Sequence, residues 1–247
     1  MPLNIEYILG FLAALGIVAV AAYLLTRPLK WLWKWVVNGI FGVVILYLLH
    51  CLGPIWGVVV PLNFLSIAVA EGAGFHKACY FDPQKLNFDD ADILRDACRA
   101  NDCGMYGKYW TCPPGVGTPE ECSKHLLRYH HGIVMQFLTE PVSCSLNPDL
   151  FNEISRSINE MTRAVRDVLE EITDDIMMLG MSACSLCKEC TYLDGKKCRF
   201  PHDMVACISG HCVNVYRLWD STGNRRANLD ETDFYTMLLW NGPSDKQ

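Results

Sequence analysis

The sequence predicts N-terminal transmembrane helices followed by an α+β cysteine-rich domain, and three observations predict it. Long apolar runs with few charges fill the chain before residue 79. Helical and strand-like patterns alternate after it. All but one of the 13 cysteines, Cys51, lie in that second part.

Across 247 residues the charged content is only 19% and the mean hydropathy is +0.14, which is too apolar for an ordinary soluble enzyme. The charges are also unevenly placed. Before Cys79 stand Arg27, Lys30, Lys34 and Lys77 against Glu6 and Glu71, so the remainder carries an acidic excess of ordinary globular character. Such a balance offers no phosphate-neutralising surface, and nucleic acid is excluded as an expected partner.

Residues 7–25 are all apolar or glycine apart from the phenols of Tyr7 and Tyr23. At about 1.5 Å per residue the run reaches across most of a hydrocarbon core, which predicts a transmembrane helix in contact with lipid. A cleaved signal peptide fits less well, because Glu6 stands where a basic segment belongs and no A-x-A-like site precedes Arg27. Residues 36–60 form a second run of spanning length. After Pro61 comes a weaker run over 62–75 containing Asn63, Ser66 and Glu71, expected to be a re-entrant segment or a third crossing.

The loop Arg27-Pro28-Leu29-Lys30-Trp31-Leu32-Trp33-Lys34-Trp35 combines basic residues with tryptophans, as cytoplasmic interface loops do. Two crossings would then leave the cysteine-rich domain outside the cell, whereas thiolates favour the reducing cytosol. A third crossing over 62–75, or a reversed orientation, reconciles the two. The expectation is a multi-pass protein of the cell membrane with a cytoplasmic cysteine-rich domain.

Arg27-Pro28-Leu29-Lys30-Trp31, Gly53, Gly57, Val60-Pro61-Leu62-Asn63, Ser66 and Gly72 together resemble the BofA family. The resemblance implies inhibition of the proteolytic processing of a sporulation sigma factor, with an intramembrane protease as partner. His50 stands where the family's mid-membrane asparagine falls, and reads as a polar residue bonded to a neighbouring helix.

In the second part, residues 90–99 read as a helix capped by Asp89 or Asp90. Thr118-Pro119-Glu120-Glu121 is a capping box with proline at the first helical position, which predicts a helix running to about His131. Residues 133–138 have strand character. The spacing of Leu150, Ile154, Ile158, Met161, Val165, Val168, Leu169, Ile172 and Ile176 predicts one helix over 149–179 with Gly180 as its stop, its apolar stripe facing the core. Residues 213–219 and 234–240 read as strands flanking a polar turn at 221–224. A small sheet covered by helices follows.

Two cysteine groups carry the chemistry. The first is Cys98-x4-Cys103-x8-Cys112, rich in glycine and followed by Pro113-Pro114. Such turns can direct backbone N–H groups at thiolate sulfurs, which stabilises anionic ligands. The second is Cys184-x2-Cys187-x2-Cys190-x7-Cys198. Three thiolates at successive x2 spacings cannot share one face of a helix or strand, but a loop coiled round a metal gathers them, as in the ferredoxin run.

These seven cysteines are the expected ligands, of an iron–sulfur cluster of the four-iron type or, alternatively, of structural zinc. Seven is one short of two four-thiolate sites. Cys79, Cys122, Cys144, Cys207 and Cys212 are candidates for the eighth, although each taken singly reads as a buried apolar thiol. The histidine pair His130-His131 and His202 read as structural.

Cys98, Cys103, Tyr106-Gly107-Lys108, Cys112-Pro113-Pro114, Gly180, Cys184-Ser185-Leu186-Cys187, Cys190 and Cys198-Arg199-Phe200-Pro201 resemble the cysteine-rich family of predicted metal-binding proteins of unknown function, DUF2284. That resemblance, from about Cys79 to the C-terminus, implies a metal site without an established reaction. Cys207 and Cys212 fall outside its pattern. The first functional expectation is a membrane-tethered iron–sulfur protein for electron transfer or redox sensing, with a redox protein as partner and no catalysis required. The second is a BofA-like regulator or scaffold whose cysteine domain holds structural zinc.

Overall fold

The computed structural model of the protein describes residues 62–171, 173–181 and 184–242. The expected crossings over 7–25 and 36–60, the basic loop between them and His50 lie outside the described residues.

In chain order the elements are α1 (Leu62–Ala73), β1 (Lys77–Phe81), α2 (Ala91–Ala100), α3 (Pro119–Leu126), β2 (His131–Thr139), α4 (Pro148–Leu169), β3 (Asp174–Gly180), β4 (Ala206–Cys207), α5 (Val215–Ser221) and β5 (Thr232–Asn241). The strands make one mixed sheet in the order β1-β2-β5-β3-β4. The β1, β2, β5 and β3 pairings are antiparallel, and β4 lies parallel to β3 at the edge. The α+β expectation holds for this domain.

Strand β5 shows why the sheet is central. Side chains alternate across a strand, so a run apolar at nearly every position must be covered on both faces. Phe234, Leu238 and Trp240 join a core with Leu65, Val69, Ile158, Val165 and Leu169, which places α1 and α4 on that face. Tyr235, Met237 and Leu239 join another with Leu126, Val213 and Trp219, which places α3 and α5 opposite. Full burial of so many aliphatic side chains, at about 25 cal/mol per Å² of apolar surface, is what holds the layers together.

The run over 62–75 is neither a third crossing nor re-entrant. It forms the 12-residue α1, about 18 Å long at 1.5 Å per residue, and Leu65, Val69, Ala70 and Phe75 are buried in the domain core. Among the described residues no helix is long and apolar enough to cross a membrane. The packed unit therefore begins before the expected 78/79 boundary.

Two further expectations are corrected. The helix predicted over 149–179 ends at Leu169, where the Thr173 backbone N–H and hydroxyl both donate to the Leu169 carbonyl, at 2.9 and 3.0 Å. Residues 174–180 become β3, with Met178 and Leu179 buried and Gly180 inside the strand rather than stopping a helix. A Cβ on Gly180 would stand 2.8 Å from Val205 Cγ1. Ladder pairing with β5 and β4 satisfies more backbone than an extra helical turn would, so it overrides the helical spacing. Likewise 213–219 is not a strand: the Asn214 side chain accepts from the Arg217 N–H at 3.2 Å and caps α5, which buries Trp219.

Other elements stand close to expectation. Thr118 and Glu121 form the predicted capping box of α3, but the helix stops at Leu126 and His131 already opens β2. Replacing Leu238, fully buried in β5, by alanine is expected to cost about 3 kcal/mol of stability, measured as a lower urea midpoint with an unchanged slope.

Candidate metal centre

The site grows from one edge of the sheet. β4 is only two residues long, yet it is tied on both sides. The Cys207 N–H donates to the Thr111 carbonyl at 2.9 Å, and the Ile208 N–H donates to the Gly180 carbonyl at 3.2 Å. Arg166, nearly buried on α4, donates to the His202 carbonyl at 2.8 Å and to Asp203 Oδ1 at 2.9 Å, which anchors the chain leading into β4. The Cys207 thiol thereby reaches the segment that carries Cys112.

Cys98 sits at the C-terminal end of α2. The loop that follows turns through Gly104 and Gly107, at φ +73 and +69, where a side chain would be strained. The Gly107 N–H donates to the Pro113 carbonyl at 2.9 Å, folding the Cys103 loop onto Cys112. Cys98, Cys103, Cys112, Cys144 and Cys207 consequently line one cavity of about 270 Å³, together with Asp102, Met105, Tyr106 and Pro113.

Cys98 and Cys207 share a hydrogen bond, as do Cys207 and Cys112. The bond to Cys207, then burial, holds the Cys98 thiol well above the usual thiol range. The bond with Cys112 is the largest influence pushing Cys207 up to about 12. The Gly210 N–H donates to Cys207 Sγ at 3.3 Å, the kind of contact that favours an anionic sulfur ligand.

Cys184, Cys187, Cys190 and Cys198 gather separately around a gap of about 10 Å³ walled by Tyr109, Thr111 and Met204. Burial raises the Cys184 thiol, while a backbone N–H bond at Leu186 opposes the shift. The Phe200 N–H donates to Cys198 Sγ at 3.4 Å. Tyr109 lies between the groups: burial raises its phenol first, and Cys190, Cys112 and Cys184 add to the shift.

The seven predicted cysteines thus fall into two sets rather than one. Cys207, which lay outside the family-like pattern, and Cys144 line the same cavity as Cys98, Cys103 and Cys112. Neither role was legible from local spacing, because sheet pairing sets both. Among the described residues no group of three or more His, Cys, Asp or Glu side chains is arranged to hold a metal ion as it stands. The donor chemistry fits a soft metal or iron–sulfur cluster, with at least four thiols at each gap and backbone N–H groups on Cys207 and Cys198.

Cys122 and Cys212 flank the first set in an arrangement that sequence reading missed. Arg95, only 6% exposed, donates to Cys212 Sγ and Cys122 Sγ, each at 3.2 Å, and to the Gly117 carbonyl at 2.9 Å. Among the described residues no carboxylate pairs with it, so a buried guanidinium sits one helical turn from Cys98 and favours negative charge there. Burial still pushes Cys122 up to about 11. The amphipathic α2, with an arginine three residues before its cysteine, was the available signal.

The remaining candidates are structural. Cys79 Sγ accepts from Asn224 Nδ2 at 2.8 Å. His130 bonds Asn241, His131 stacks on Trp240, and His202 pairs with Glu170.

Two family models match the chain. The model described as "Predicted metal-binding protein (DUF2284)" matches residues 81–240, well over half of the protein. The chain belongs to the DUF2284 family. Residues 12–75 match the model described as "SigmaK-factor processing regulatory protein BofA". No curated protein and no solved structure matches the chain.

The DUF2284 match covers every cysteine of both sets, and the BofA match ends in α1 and the turn after it, which pack into the DUF2284 domain core. In metal-free protein, iodoacetamide is expected to alkylate exposed Cys103 first and the buried Cys122 and Cys212 last, with the order read by peptide mass spectrometry.

Proposed function

We propose that this member of the DUF2284 family is a membrane-anchored protein that carries two thiolate-ligated centres for electron transfer or redox sensing. The first is held by Cys98, Cys103, Cys112 and Cys207, the second by Cys184, Cys187, Cys190 and Cys198. The observation that carries the reading is the gathering of thiols around two separate gaps, five lining the first, Cys144 among them, and four the second, with Thr111-Cys112 between.

An iron–sulfur cluster of the four-iron type suits both ligand sets, and bound there it would supply one-electron exchange. The first cavity, of about 270 Å³, has the volume for one, and its thiols must draw together to ligate it. The second set rings a narrow gap, and the 184–198 loop, built of turns without helix or strand, must spread to admit it. Thr111 and Cys112 are consecutive residues that wall the two gaps, so adjoining positions of one segment would help to hold both centres.

The protein's own groups hold and tune the ligands. Arg95 offsets anionic sulfur at the first centre, Gly210 and Phe200 supply N–H donors, and Tyr109 fills the space between the sets. The apolar runs over 7–25 and 36–60 anchor the domain in lipid as a multi-pass segment. Thiolate chemistry places the domain in the cytosol. With α1 docked on the domain, two crossings put both chain ends on that side.

A second reading has its own support. The BofA match and the narrow second gap favour a regulator of an intramembrane protease whose cysteine domain is stapled by zinc.

Protein purified without oxygen in detergent is expected to be brown, with a broad absorption near ~400 nm that bleaches on reduction, as thiolate-bound iron gives. Stoichiometric zinc without colour would replace the first reading by the second. Cys207→Ser and Cys184→Ser are each expected to remove about half of the bound metal and the double variant nearly all, read by elemental analysis, because loss of one ligand of four empties a centre. Cys212→Ser should leave the metal content unchanged. Equal loss in Cys207→Ser and Cys212→Ser would contradict the assignment of Cys207.

A further inference from the structure

A third concavity, of about 450 Å³, opens beside both cysteine sets and is used by neither. Cys198 lines it from the second set. Ala206, one residue before Cys207, lines it from the first. Its volume lies in the range of small-molecule sites, and its walls are apolar side chains, chiefly Trp110, Val116, Met177, Pro201 and Met204.

The walls are fixed. Trp110 Nε1 donates to the Lys196 carbonyl at 3.0 Å, and the indole meets Tyr192 edge-on with ring centres 5.0 Å apart. At the base stands His211, only 4% exposed. Its Nδ1 lies 2.9 Å from the Cys207 carbonyl. A carbonyl oxygen can only accept, so Nδ1 carries the proton and Nε2 is left with a bare lone pair. Among the described residues Nε2 has no hydrogen-bond partner.

Nε2 is not among the buried atoms left without a partner, so it is open to solvent and free to accept from a bound donor. Lys197, exposed at the rim, supplies a donor of its own.

We propose that this cleft binds a small, flat, uncharged ring that carries a hydroxyl or N–H donor at one end and a carbonyl acceptor at the other. The donor meets His211 Nε2, the ring lies against Trp110 and the methionines, and the carbonyl takes a hydrogen bond from Lys197. Charge argues for a neutral ligand, since among the described residues the cleft sets one lysine, Lys197, beside Cys198, whose sulfur would be anionic as a ligand, and its other ionisable side chains are the imidazoles of His125 and His211. Binding itself rests on protein side chains and on no metal.

The test uses the full chain, metal-loaded and reconstituted in lipid nanodiscs, with 4-hydroxybenzamide as the probe and 4-methoxybenzamide as its match lacking the donor. Saturation-transfer NMR is expected to show saturable binding of the hydroxy compound with a Kd of about 1 mM or tighter, as expected of so small a ligand. The methoxy compound should bind about tenfold more weakly, corresponding to the loss of one hydrogen bond to His211 Nε2. In His211→Phe that preference should vanish, whereas Lys197→Met, at an exposed position, should weaken both compounds equally. The matched pair on the unaltered chain keeps the test decisive should His211→Phe fail to fold. Equal affinities for the two compounds, or no saturable binding by protein whose metal content is complete, would overturn the cleft assignment and leave the metal reading standing. Loss of metal with binding intact would do the reverse.

Discussion

The two-residue strand β4 depends on very few hydrogen bonds, and most of the site depends on it. Its backbone is shared between the Thr111 carbonyl on one side and the Gly180 carbonyl on the other. Those bonds bring together three stretches of chain that are far apart in sequence: the loop after α2, the end of β3, and the turn that bears Cys207, His211 and Cys212. Buried backbone groups must be paired, so the register here is tightly constrained. Gly180 adds to the constraint, because any side chain at that position would collide with Val205.

From that junction the electrostatics follow. Thiols held close together share protons, and burial discourages their ionisation, which is why the Cys98 and Cys207 thiols stay protonated when nothing positive lies among them. A soft cation reverses the balance by taking the protons' place. Arg95 is placed to assist, as a buried guanidinium bonded to two further thiols and a carbonyl rather than to a carboxylate. A desolvated cation of this kind is costly to the fold by itself and gains its compensation from an anionic neighbour.

The docking of α1 links the two family-like parts of the chain. Residues matched by the BofA model continue directly into a helix whose Leu65, Val69 and Ala70 are buried with α4 and the sheet.

The sequence by itself determined what local spacing can encode. The capping box at Thr118 and Glu121, the strand character of 133–138 and 234–240, and the grouping of Cys184, Cys187, Cys190 and Cys198 were all legible, because each is written within a few neighbouring residues. Only the tertiary structure decided the rest. Residues 174–180 carry a helical spacing but pair as a strand, because the neighbouring β5 and β4 satisfy their backbone while Met178 and Leu179 enter the cores on the two faces of the sheet. Residues 213–219 read as a strand and coil into a helix, because Asn214 caps it and Trp219 finds a core. Cys207 joins Cys98 and Cys112 through sheet register, and Arg95 meets Cys122 and Cys212 through the packing of α2. Contacts between residues so distant along the chain leave no periodicity in the sequence; they exist only once the sheet has closed.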